Sequence, residues 1–189
     1  MFRFLSLAIY GLIGWRVVDH RPRDLGSSIY VVAPHTSNWD FIVGVFARSI
    51  ARLGHVKFLA KSSLFERPFG WIFRVLGGYP VDRNKNNNLV DQVVGFFRTE
   101  PGFSIAITPE GTRKKVERWR TGFYHIAHKA GVPLILTAID YRDRQVVFRE
   151  PFTTTGDMEK DIARMMEWFA QYQGRNPELG VVGVDRSKA

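Results

Sequence analysis

Short apolar runs rich in β-branched and aromatic residues recur along the chain, each followed by a segment with helical spacing. The runs fall at 29–33, 56–60, 79–81, 103–107 and 133–139. They are too uniformly apolar for a sheet with one wet face, so they read as strands covered on both sides. Trp39, Ile42, Val43, Phe46, Ile50 and Leu53 recur every three or four positions and predict an amphipathic helix over 38–53. Further helices are expected over 62–76, bent or restarted at Pro68, over 88–99, over 121–130 with Gly131 at its end, and over 157–172. Residues 84–88 read as a polar loop, 145–149 as an added strand, and the last dozen residues as frayed. Strand–helix alternation of this kind predicts an α/β domain, with a mainly parallel central sheet flanked by helices. Functional groups in such sheets sit in the loops at the carboxyl ends of the strands.

The N-terminus carries an apolar stretch, residues 4–15, between Arg3 and Arg16. A spanning helix needs about 20 apolar residues, so the stretch is too short to cross a bilayer. No small-residue cleavage site follows it, which argues against a signal peptide. It reads either as a core helix or as an interfacial helix with Tyr10 and Trp15 near headgroups and Arg3, Arg16, Arg21 and Arg23 on anionic lipid. Residues 1–18 are accordingly set apart from a main domain over 19–189. The net charge of +9 lies wholly within residues 1–120, which hold 18 basic and 9 acidic side chains. Such a balance favours polyanionic partners: nucleic acid, anionic headgroups or phosphorylated substrates. With no cysteine in the chain, thiol nucleophiles, cysteine-ligated zinc and disulfides are excluded.

Two strand-end loops carry groups suited to chemistry. The first is His35-Thr36-Ser37-Asn38-Trp39-Asp40. A histidine removes a proton near neutral pH, and it does so best when a carboxylate accepts its second ring N–H. Ser37 and Asp40 also form a capping-box pattern, with Ser37 as N-cap and Asp40 reaching back. The second loop, Thr108-Pro109-Glu110-Gly111-Thr112-Arg113-Lys114-Lys115, offers a tight turn, a hydroxyl and a guanidinium, a set that suits a phosphate.

Taken in order, these segments resemble the glycerolipid acyltransferase superfamily, the 1-acylglycerol-3-phosphate and related lysophospholipid acyltransferases. His35 to Asp40 matches the family's H-x4-D motif, and Tyr79-Pro80-Val81-Asp82-Arg83 its second block. Pro109-Glu110-Gly111-Thr112-Arg113 matches the third, and Val132-Pro133-Leu134-Ile135 resembles the fourth. The resemblance implies that His35 deprotonates the acceptor hydroxyl while Asp40 orients it. It also implies that Arg83, Glu110, Gly111, Thr112 and Arg113 surround the acceptor phosphate, with Lys61 near it and Glu110 shaping the loop or ordering Arg113. Pro133 would support the strand core or the acyl site. Attack would be direct on an acyl thioester, with Ser37 an N-cap and not a nucleophile.

The implied partners are a lysophospholipid acceptor, an acyl-CoA or acyl carrier protein donor and an anionic membrane surface. No cofactor, metal or nucleic acid is expected, and the place of work would be the cytoplasmic face of a membrane, with the protein peripheral or monotopic. Pro34, Thr108 and Leu136 depart from the family pattern beside the motifs and bear on acceptor identity. An acyl-thioester hydrolase using the same pair on water, or a basic nucleic-acid-binding module, are the alternatives.

Overall fold

All six of the expected strands and one more join one seven-stranded sheet in the computed structural model, which describes residues 2–66, 68, 70–81 and 89–180. The strands are β1 (Arg16–Asp19), β2 (Ser28–Ala33), β3 (Lys57–Lys61), β4 (Gly78–Val81), β5 (Ser104–Ile107), β6 (Leu134–Asp140) and β7 (Gln145–Phe148). Their order across the sheet is β1-β7-β6-β2-β5-β3-β4. Every neighbouring pair is parallel except β6 and β7, which form an antiparallel hairpin. The five strands from β6 to β4 therefore send their carboxyl ends to one edge, and β6, β2 and β5 do so side by side.

The helices are α1 (Phe2–Leu12), α2 (Trp39–Ile50), α3 (Gly70–Val75), α4 (Leu89–Thr99), α5 (Gly122–Ala130) and α6 (Met158–Ala170). The expected helix over 62–76 is broken, with a 3-10 turn at Ser62–Phe65 and a restart at Gly70. Proline at 68 removes a backbone donor and fixes φ, so the break has a local cause. Alternate residues of β2 enter separate cores. Ile29, Val31 and Ala33 meet α4, α5 and α6, while Tyr30 and Val32 meet α1 and α2. The central strands are buried on both faces, as their apolar runs require, and each fully buried Leu or Ile contributes about 1.5–3 kcal/mol.

The sequence reading missed β1. Arg-Val-Val-Asp is short and half charged, and it gains its place only by pairing with β7, from Arg16↔Gln145 to Asp19↔Phe148. Two of the arginines flanking the apolar stretch have side-chain partners within the domain. Arg16 reaches Gln145 Oε1 through its side chain. Arg21 pairs with Asp19 at 2.7 Å and donates to the Tyr30 hydroxyl.

The apolar N-terminal stretch packs one face against the domain and leaves the other exposed. Ser6 and Tyr10 are buried, the Tyr10 hydroxyl donates to Val43 O at 2.7 Å, and Phe2 stacks on Phe46. The outer face leaves Phe4 73% and Leu12 88% exposed, with Leu5 beside them. No helix among the described residues is long and apolar enough to cross a membrane. Residues 82–88, including Arg83 and the expected polar loop, lie outside the described residues, as do the last nine residues of the expected frayed end.

Candidate active site

The three adjacent parallel strands deliver three loops to one place: Tyr141 follows β6, His35 follows β2, and Glu110 follows β5. His35 Nδ1 stands 3.1 Å from Asp40 Oδ2, with the histidine side chain 19% exposed and the aspartate 1%. The same Oδ2 accepts the backbone N–H of Thr36 and of Ser37, each at 2.8 Å. Asp40 thus reaches back to Ser37 N as a capping box requires, while Ser37 Oγ takes Trp39 N at 3.2 Å. The helix N-cap falls on Asn38, one residue later than expected, and the Asn38 side chain makes no capping bond. Capping and histidine orientation share a single carboxylate oxygen. The other, Oδ1, accepts the Tyr141 hydroxyl at 2.8 Å.

With Nδ1 engaged by Asp40, the tautomer that donates from Nδ1 leaves Nε2 as the free acceptor, which is the arrangement a general base needs. The loop that holds this ring is tied from two further directions. Glu110 Oε1 accepts His35 N at 3.1 Å, and Asn176 donates from its backbone to Thr36 Oγ1 and from its side chain to Thr36 O. Gly174 lies so close that a Cβ there would come within 2.7 Å of Thr36 Oγ1. Burial, opposed by the bond from His35 N, pushes the Glu110 carboxyl up from its ordinary range. Its second oxygen, Oε2, is buried and has no hydrogen-bond partner among the described residues.

His35 and Asp40 line a cavity of about 620 Å³. Phe41, Val45, Phe58 and Ile107 give it apolar walls, and Thr108, Gly111 and Arg120 line its polar part. The volume lies within the roughly 300–1,000 Å³ usual for small-molecule sites. Gly111 has φ of +63°, the left-handed conformation that favours glycine, and a Cβ there would come within 2.8 Å of Arg120 Nε. Thr112 Oγ1 accepts Lys114 N, which tightens the turn, and Arg113 points out of the core as an exposed side chain.

A sequence profile of the acyltransferase family matches residues 16–140, which takes in both loops and all of the sheet except β7. The chain belongs to the acyltransferase family. It is 31% identical over 144 residues to the 1-acyl-sn-glycerol-3-phosphate acyltransferase of Escherichia coli strain K12, an alignment covering 71% of this chain and 57% of that one. The protein of the same name from Haemophilus influenzae is 31% identical over 140 residues, covering 67% and 55%. The chain therefore spans little more than half the length of these relatives. Among solved structures, the 1-acyl-sn-glycerophosphate acyltransferase of Thermotoga maritima superposes with a TM-score of 0.60 at 18% identity, covering 90% of this chain and 76% of that one. The fold is thus shared.

Within this family member the expected site residues do not all converge. His35, Asp40, Glu110 and Gly111 meet, and Thr112 and Arg113 follow on the same loop. Glu110 bonds to His35 N, a partner other than the expected Arg113. Lys61 ends β3 at the same sheet edge, with its side chain outside the described residues, as is the whole of Arg83. Pro133 stands at the opposite end of the sheet, where its carbonyl accepts Ile29 N, so its support is to the strand core. Sequence reasoning missed Tyr141, Gly174 and Asn176. A conformational demand for glycine at 111 was the one signal that a bulky neighbour such as Arg120 stands close.

Proposed function

We propose that the protein transfers a fatty acyl group from an acyl thioester to the free hydroxyl of a lysophospholipid, most simply 1-acylglycerol-3-phosphate, with His35 as general base. The observation that carries this reading is the His35–Asp40 contact in the lining of a largely apolar cavity. The acceptor hydroxyl gives its proton to His35 Nε2 as its oxygen attacks the thioester carbonyl. The tetrahedral oxyanion then collapses, expelling the thiolate, which takes the proton back from the imidazolium. Ester and free thiol leave, and no acyl-enzyme forms. Asp40 holds the ring and balances the imidazolium charge. Arg113 and Arg120 supply guanidinium groups for the acceptor phosphate, with Arg83 and Lys61 as further contributors. No cofactor or metal takes part in these steps.

The donor is acyl-CoA or an acyl carrier protein, and the site works against an anionic membrane on its cytoplasmic side. The bare outer face of α1, with Phe4, Leu5 and Leu12, supports a surface attachment.

Incubating the purified protein with both donors and a panel of lysolipids, with products read by mass spectrometry, tests the proposal. A diacyl product that disappears in His35→Ala is expected, with a rate loss on the order of 10²–10⁴. Release of free fatty acid at one rate with or without a lysophospholipid would make the protein a hydrolase instead.

A further inference from the structure

Asp40 has no oxygen to spare. Oδ2 serves Thr36 N, Ser37 N and His35 Nδ1, so any rotation of the carboxylate that moves it away from the histidine has to be resisted from the Oδ1 side. The Tyr141 hydroxyl occupies that side at 2.8 Å. Tyr141 is itself held. Its N–H donates to Gln173 O at 2.8 Å, and its ring meets Trp15 edge to face, with centroids 5.0 Å apart at 87°. Trp15 in turn donates its backbone N–H to Tyr10 O and sits against the Tyr10 ring. A continuous line of contacts runs from α1 through Trp15 and Tyr141 to Asp40 and His35.

We propose that Tyr141 is a positioning residue for the His35–Asp40 pair and that Trp15, in the connection between α1 and β1, is its backstop. The proposal rests on the reading of His35 as general base. Burial, and then the neighbouring Asp40 carboxylate, push the Tyr141 phenol up, so it remains a hydrogen-bond donor throughout the working range. Among the described residues, Asp40 from α2, Tyr10 from α1 and Arg175 from the segment after α6 act on this phenol, and Glu110 from the loop after β5 faces the histidine. Besides His35, Tyr141 is the described residue whose side chain donates to Asp40. Removing its hydroxyl leaves more of the carboxylate charge facing the imidazolium. His35 then holds its proton to higher pH and becomes a competent base later.

The test compares Tyr141→Phe, Trp15→Leu and a control. Tyr124→Phe serves as the control because it deletes a tyrosine–aspartate bond of the same length, Tyr124 to Asp161 at 2.8 Å, in the packing of α5 against α6. Palmitoyl-CoA and palmitoyl-loaded acyl carrier protein are the donors, with 1-oleoylglycerol-3-phosphate as acceptor. Tyr141→Phe is expected to lower kcat by about ten-fold, well inside the hundred-fold that a misplacement of ~1 Å can cost. The KM for the acceptor should not change, and the acid limb of the pH–rate profile should move to higher pH. Trp15→Leu should reproduce part of the kcat loss, whereas Tyr124→Phe should lower stability and leave both kinetic quantities alone.

An NMR titration of the His35 ring in the substrate-free protein gives a readout independent of turnover, and Tyr141→Phe should shift it upward. A Tyr141→Phe protein with wild-type kcat or an unmoved His35 titration overturns the positioning role. A defect equally large in Tyr124→Phe overturns it too, and wild-type kcat in Trp15→Leu removes the backstop. If His35→Ala is inactive while Tyr141→Phe is normal, only this inference fails; if His35→Ala is fully active, the general-base reading fails with it.

Discussion

Glu110→Gln isolates the one buried carboxylate oxygen that lacks a partner among the described residues. Oε1 accepts His35 N, and a glutamine carbonyl retains that bond, whereas Oε2 is buried with nothing to bond to among the described residues. Burial raises the folded-state pKa above the ordinary 4.5, so the folded protein holds this proton more tightly than the unfolded chain does. Stability from this group is greatest in acid and is lost as pH rises from the ordinary carboxyl range through the raised value. An unpaired buried polar group costs about 1–3 kcal/mol, and a charged one costs more. Glutamine carries no charge to desolvate, although its amide still lacks partners. The variant should therefore equal or fall slightly below wild type near pH 4 and exceed it by about 1 kcal/mol near pH 7. Urea unfolding at several pH values, with the two stabilities subtracted at each, measures the difference directly. A difference that stays flat between pH 4 and 7.5, or that turns against the variant as pH rises, would refute the claim that burial dominates at Glu110.

Three further perturbations address the rest of the site. Asp40→Asn retains the side-chain volume but presents an amide where four donors now converge, so kcat should fall by roughly 10²–10⁴ with little change in acceptor KM; steady-state kinetics showing a loss under three-fold would remove Asp40 from the mechanism. Gly111→Ala forces a side chain onto φ of +63° and against Arg120, and should cost about 1–2 kcal/mol in thermal unfolding while raising the KM for a phosphorylated acceptor. An unaltered melting temperature would count against the close approach. Replacing Phe4 and Leu12 together with serine should weaken co-sedimentation with anionic vesicles without lowering stability, because both side chains are exposed. Undiminished binding would assign vesicle attachment to another surface.

What could be read before any fold was known follows the range of each interaction. The central strands were visible because burial on both faces leaves an unbroken apolar run, as in β6, where every residue is buried. The His35–Asp40 contact spans five positions and leaves a local trace, and so does the restart after Pro68. β1 left none, because its partner lies 129 residues away and its own residues are half polar. The same distance hid Tyr141 and Asn176, which meet Asp40 and Thr36 across 101 and 140 residues. The capping pattern was legible, but the division of labour between the two Asp40 oxygens was not. Local spacing says that a carboxylate can reach back, and only the fold says what stands on its other side. The motif around Pro133 implied support for the strand core or the acyl site, and register against β2 sets it at the far end of the sheet from His35.

The clamp that Asn176 and Gly174 place on Thr36 also has a consequence in time. A ribosome adds about 5–20 residues each second, so the 140 positions between Thr36 and Asn176 take roughly 7–30 s to make. Throughout that interval the growing chain carries its histidine, yet lacks the residues that close the loop around it. The loop that bears the histidine is closed only when the segment after α6 folds back over it, long after the histidine itself is made.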